Sequence, residues 1–301
     1  MRMEENKNRK IGIDILKFLA AFCVVSIHMP FYGEFGNVFI SISRWAVPIF
    51  FMITGFFYHQ TVEKGNENKQ IIKIIKLCLL ANLLFFCYRI FLVIFNNESI
   101  LLWLKETFSI NKILEFIVLN ESPVAGHLWY LTAILYVLVI MKFVNKYNKY
   151  NIIFIITPLL LTMDLLFGKY SLLIFKRNIP FILVRNFLFV GLPYFTIGIY
   201  INNLSKSEKF KKLANNKKLL IVLIIFFTIT TIIERSILIH FNANAVRDHY
   251  ISTTFLAIFL FVYFLGVKNK TNNKIIEKIA ELGRKYSTNI YIFHYLIRFS
   301  V

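Results

Sequence analysis

Charge is what this sequence has least of. Asp, Glu, Lys and Arg make up 17% of the 301 residues, against 57% hydrophobic, and the mean hydropathy is +0.63. Soluble domains hold roughly a quarter charged residues, so a polytopic membrane protein is indicated. Acidic side chains are scarcest, 16 against 35 basic ones, for a formal charge of +19. Such an excess can mark a nucleic-acid partner. Here the basic residues fall in short runs between apolar segments, a pattern of membrane topology, and no nucleic acid is expected. Cysteine is sparse: Cys23, Cys78 and Cys87 lie inside apolar segments without paired spacing, and read as small core residues, with no metal site. No Gly-rich phosphate loop, zinc-ligand spacing, nucleophile elbow or Walker pattern is present, which argues against ATP-driven transport by this chain alone. The first apolar segment lacks a small-residue cleavage pattern and reads as a retained span. No internal repeat stands out.

What is abundant is apolar and aromatic: 33 Phe and 15 Tyr suit a lipid-facing surface with aromatic belts. Segments long enough to span as helices lie near 11–30, 37–59, 70–95, 127–144, 151–168, 181–202, 218–240, 250–267 and 286–301. The expected fold is all-α, a transmembrane bundle of nine to ten spans forming one domain over 1–301. Residues 1–10 form a leader. Residues 96–126 are too charged for an ordinary span and predict an interfacial or re-entrant helix. The last apolar segment runs to Val301 without a polar tail, which suits either a short final span or a chain cut from something longer. With the amino terminus in the cytoplasm, inner connections carry more than twice the Lys and Arg of outer ones, and the bias holds loop by loop. That topology puts Arg44, His127, Trp129, Arg185, Glu234, Arg235, Arg247, Asp248 and His249 at outer helix ends.

The first span, IGIDILKFLAAFCVVSIHMP, carries Asp14, Lys17 and His28. Ionisable groups in hydrocarbon need a partner, a wet cavity or a task. At about 100° and about 1.5 Å per residue these three share one stripe of the helix, with Lys17 and His28 about 16 Å apart. A polar track ending in a histidine is one reading. The other is a local Asp14–Lys17 pair with snorkelling, and His28 at the opposite interface. In the second span Pro48 predicts a mid-segment kink, and Thr54 and Gly55 permit close approach of another backbone. GHLWYL, from Gly126 to Leu131, opens the fourth span; Arg185 and Asn186 sit near the start of the sixth, where a hydrated cavity or a pair with Glu234 would explain them. His294 and Arg298 lie among apolar residues of the last span. His294 fits either a core histidine bonded to a carbonyl or a site residue.

The stretches IDILKFLAAFCVVSIH, RWAVPIFFMITGFF, GHLWYLTAILY, RNFLFVGLPYFTIG and STNIYIFHYLI, spread over residues 13 to 297, resemble the acyltransferase 3 family of membrane acyltransferases. The first is the most specific: a basic residue, ten intervening positions, then histidine, as in Lys17 and His28. The resemblance implies transfer of an acyl group, usually acetyl, from cytoplasmic acyl-CoA to a hydroxyl of an envelope glycan outside, with no bound cofactor and acetyl-CoA as co-substrate. It implies a multi-pass protein of a bacterial plasma membrane. It makes His28 the essential histidine, read here as the general base, and Lys17 and Asp14, on the inner part of the track, are the further expected catalytic residues. Arg44, His127, Trp129, Arg185, Glu234 and His294 are the expected substrate-binding residues. The third helix lacks the paired arginines some members use for the coenzyme; Lys73 and Lys76 are there instead. A branch of the same fold forms the membrane half of vancomycin-resistance serine racemases, so a transport or sensing domain without chemistry stands as the rival. A structural subunit of an envelope complex is a third reading.

Overall fold

The computed structural model describes residues 10–244, 249–269 and 272–298, with residues 297 and 298 described by backbone alone. Arg247, Asp248 and the side chain of Arg298 therefore lie outside the described residues. The helices run in order as α1 Ile11–His28, α2 Gly33–Ser43, α3 Ala46–Glu63, α4 Glu67–Phe95, α5 Ile100–Thr107, α6 Ile110–Leu119, α7 Trp129–Lys146 and α8 Tyr150–Phe167. They continue as α9 Ser171–Phe175, α10 Leu192–Leu204, α11 Glu208–Asn215, α12 Lys217–His240, α13 Ile251–Leu265 and α14 Lys274–Arg298. Among the described residues there are no strands, and the all-α expectation stands.

Seven stretches among the described residues are long and apolar enough to cross a membrane: Ile11–His28, Gly33–Glu63, Glu67–Phe95, Gly126–Lys146, Tyr150–Phe167, Phe187–Leu204 and Lys217–His240. Ile251–Leu265 is apolar but shorter. The ninth segment expected at 286–301 belongs to a longer helix that starts at Lys274, and its first half, KIIEKIAELGRK, is too charged to count as hydrocarbon. The outward faces of α4, α8 and α12 are rows of exposed apolar side chains: Leu79, Leu80 and Leu83, then Ile155 and Leu159, then Val222, Ile225, Ile229, Ile233 and Ile237. Such rows are a liability in water and ordinary against lipid tails. Residues 96–126 hold two short amphipathic helices, α5 and α6, without buried side chains.

The second span is broken, but not where a mid-helix proline would bend it. Ser43 ends α2, Arg44 and Trp45 form a turn, and α3 begins at Ala46. A proline ring clashes with the carbonyl four residues earlier, which for Pro48 is that of Arg44. Pro48 itself sits in the first turn of α3, where its missing N–H has no helical acceptor to lose. The expected mid-segment kink is thus a helix break on the Arg44 side.

Close backbone contacts set the centre of the bundle. A Cβ added at Gly55 on α3 would fall 1.9 Å from the Phe195 carbonyl oxygen on α10, and one at Gly198 on α10 would fall 2.1 Å from that of Met52 on α3. The two glycines therefore let α3 and α10 cross nearly backbone to backbone, as small residues do between membrane helices. Gly283 does the same for α14 against the Asp14 carbonyl of α1. Around these crossings Leu16, Ala20, Ala46, Ile49, Phe51, Met52, Tyr194, Phe195 and Phe261 are buried. The ends of α1 and α2 and the starts of α3, α7 and α13 consequently gather at one end of the bundle.

Candidate active site

At that end a small cavity of about 40 Å³ is lined by Val24, Ile27, His28, Arg44, Val47, Trp129, Arg185 and His249. Five separate parts of the chain meet there. His28 is the last residue of α1. Arg44 is delivered by the break between α2 and α3. Trp129 opens α7 after a 3-10 turn over Gly126–Leu128. Arg185 comes from an irregular stretch between a 3-10 turn at Phe181–Leu183 and a π-helical turn at Phe187–Gly191. His249 immediately precedes Tyr250, the residue before α13. A helix from 181 is the sequence expectation; instead Asn186 caps the start of the π-helical turn, accepting from the backbone N–H of Leu188 and Phe189, and regular helix begins only at Leu192.

Two polar nodes hold the mouth in shape. Asn120, fully buried, adopts the left-handed conformation with φ 56°, which asparagine tolerates well. Its side-chain N–H donates to the Trp129 carbonyl at 3.2 Å, its Oδ1 accepts from Phe187 N at 2.8 Å, and its own carbonyl accepts from the Thr132 hydroxyl at 2.7 Å. One side chain thus fixes both Trp129 and the stretch bearing Arg185. The second node is an ion pair: Arg185 Nη2 donates to both oxygens of Glu121 at 3.2 Å. The guanidinium lies 4.1 Å from the Phe181 ring centre and 5.2 Å from that of Trp129. Its Nε is buried without a hydrogen-bond partner. Glu121 stands outside the spans, and burial pushes its carboxyl up despite the opposing pull of Arg185. The partner considered for Arg185, Glu234, is elsewhere.

Behind His28 lies a cluster of rings. His28 and His294 are 5.0 Å apart between ring centres, and His294 and His127 are 5.4 Å apart. His127 stacks on Tyr295 at 4.6 Å. His294 Nδ1–H donates to the Tyr291 carbonyl at 2.8 Å, leaving Nε2 as the proton-free nitrogen, buried without a partner. His127 Nε2–H donates to the Ile292 carbonyl at 3.3 Å, and its Nδ1 is likewise buried and unpartnered. The Tyr291 hydroxyl donates to the His127 carbonyl. His127 and His294 therefore back the cavity wall, and His294 is bonded to a carbonyl and placed beside the site at once.

Other expected residues fall elsewhere. Lys17 reaches back to Asp14, Nζ to Oδ1 3.4 Å, and lines none of the cavities described here. Asp14 is buried beneath the α14 contact at Gly283. Lys73 and Lys76 stand exposed on α4. Glu234 is a helix cap: it accepts from the backbone N–H of Ile251 at 2.8 Å and of Ser252 at 3.1 Å, and from the hydroxyls of Ser252 and Tyr170. A carboxylate at a helix start satisfies orphan donors and the dipole, so Glu234 builds α13 and does not face the cavity.

Three contributors were not legible as site residues: Asn120, Glu121 and Asp164. His249 Nδ1 lies 2.9 Å from Asp164 Oδ2, both groups nearly inaccessible. Asp164 is the lone charge in the α8 sequence YNIIFIITPLLLTMDLLF; the rule that singled out Asp14 applies equally to it.

A multi-helix membrane bundle with a polar, histidine- and arginine-lined cavity at one end is the class these features define. The model of a family described as an acyltransferase domain matches residues 10–300, and the chain belongs to that family. No curated protein and no solved structure matches it.

Proposed function

We propose that this membrane acyltransferase moves an acetyl or similar acyl group from cytoplasmic acyl-CoA to a hydroxyl of an extracytoplasmic carbohydrate, at the cavity beside His28. The observation that carries the reading is the convergence of His28, Arg44, Trp129 and Arg185 on one cavity from four distant parts of the chain. A neutral imidazole can take the proton of an attacking hydroxyl at working pH. The oxygen then attacks the thioester carbonyl carbon, and the negative charge that builds on the carbonyl oxygen is met by the Arg44 and Arg185 guanidinium groups. The carbon–sulfur bond breaks, leaving the ester and coenzyme A. Trp129 offers an apolar face of the kind sugar rings stack on. The excess of Lys and Arg on the other side of the bundle supports an extracytoplasmic position for this end, in a bacterial plasma membrane.

The test uses membranes containing the full chain, supplied with radiolabelled acetyl-CoA on the cytoplasmic side. Label should appear in envelope glycan as an alkali-labile ester, and replacement of Arg185 by Met should reduce it strongly. Uptake of an amino acid without any ester label would support the transport reading instead.

A further inference from the structure

Asp164 and His249 form a second ionisable pair at the same cavity, unused by the steps above. Asp164 is buried near the end of α8, in a helix that is otherwise uncharged. His249 touches both the main cavity and a smaller one shared with Asp164, Lys169 and Arg185. A carboxylate in hydrocarbon surroundings is expensive, and it is retained where it is paired and used. Because Nδ1–H donates to Asp164, the ring orientation and tautomer are fixed, and Nε2 is the nitrogen left to exchange a proton. The carboxylate also stabilises the positive ring that forms when Nε2 is protonated.

The proposed reaction leaves a need that His28 does not fill. A coenzyme A thiolate released inside the bundle would be an anion held away from bulk water, at a large desolvation penalty. We propose that His249 is the catalytic acid that protonates this departing sulfur, with Asp164 as its positioning residue. This rests on the acyl-transfer reading. The acceptor hydroxyl gives its proton to His28, and its oxygen forms the new carbon–oxygen bond. As the carbon–sulfur bond breaks, the sulfur takes the proton from His249 Nε2, so that ester and free thiol leave. The proton on His28 returns to His249 through cavity water, and the site is reset.

Other charged groups bear on His249. Arg185 and Lys169 share the smaller cavity, His28 and Arg44 share the larger one, and the Tyr194 ring is 5.4 Å from the histidine ring. The readout must therefore be specific to an acid.

The experiment compares His249→Gln and Asp164→Asn with wild type in membranes, by acetyl transfer from labelled acetyl-CoA across pH, with protein amount and thermal unfolding followed in parallel. His249→Gln should slow transfer by about 100-fold or more, the usual worth of a positioned acid, and should abolish the fall in rate at high pH. Asp164→Asn keeps a hydrogen-bond acceptor and should shift that fall to lower pH. If His249→Gln does not fold, the Asp164→Asn profile decides alone. A wild-type rate and profile in the variants, with His28→Ala inactive, overturns the role of His249 and leaves the acyl-transfer reading intact. Full label in both His28→Ala and His249→Gln overturns the reading itself.

Discussion

Pro48 stands four residues after Arg44, and the helix is broken at Arg44 and the next residue. The proline denies α3 a continuation through the Arg44 carbonyl, and the resulting turn brings the guanidinium to the cavity wall.

Replacing Pro48 by Ala should therefore let α2 and α3 join as one helix and rotate Arg44 away. We expect unfolding temperature to change little while transfer falls about 10-fold or more, as misplacement of a charged group commonly does. An unchanged rate would mean that Arg44 needs no break to act.

Glu121 and Arg185 separate stability from activity. Burial raises the Glu121 carboxyl above its ordinary value, so it holds its proton to higher pH in the folded protein than in the unfolded chain. Its contribution to stability is full below the ordinary carboxylate range and declines as pH rises through the raised folded value. Glu121→Gln removes that decline. Unfolding of the variant in detergent should depend less on pH from mildly acidic to neutral conditions. Its transfer rate should fall about 10-fold or more, because Arg185 loses the carboxylate that aims it. A steeper pH dependence in the variant would contradict the assignment.

Asn120 bonds three elements at once. Asn120→Leu leaves the Phe187 N–H without its acceptor, and each buried unsatisfied group costs about 1–3 kcal/mol. The left-handed backbone strains the new residue further. Thermal unfolding should show a loss of about 3 kcal/mol, and quenching of Trp129 fluorescence should rise as the mouth loosens.

Gly55 permits the α3–α10 crossing. Gly55→Ala forces the helices apart, an overpacking that costs about 1–3 kcal/mol, and should lower the amount of folded protein in membranes. Glu234→Gln offers the contrast, since Glu234 caps α13 without reaching the cavity: unfolding temperature should drop while transfer per folded molecule stays within a few-fold of wild type.

The helical bundle was legible because lipid forces it. Apolar runs of spanning length, with basic connections between them, leave little room for another architecture. His28, Arg44, Trp129 and Arg185 were legible because charged or amphipathic groups at span ends stand out from their surroundings, and the structure brings these four together. Others lie away from this cavity, for physical reasons. Glu234 looks like a site residue in one dimension, but its neighbours in space are orphan N–H groups. Lys73 and Lys76 lie on α4, whose outward face is turned away from the packed helices. Asn120 and Glu121 sit in a connection where polar residues are unremarkable until their partners are known. Asp164, a lone acid in an apolar span, is as conspicuous in the sequence as Asp14, but its partner His249 lies 85 residues away.

The central claim is that the cavity beside His28 carries out acyl transfer. The most direct measurement is the amount of labelled acetyl ester formed on envelope glycan by membranes containing His28→Ala, normalised to folded protein. Loss of about 100-fold or more, with wild-type thermal unfolding, is the expected result; ester formation at the wild-type rate would contradict it.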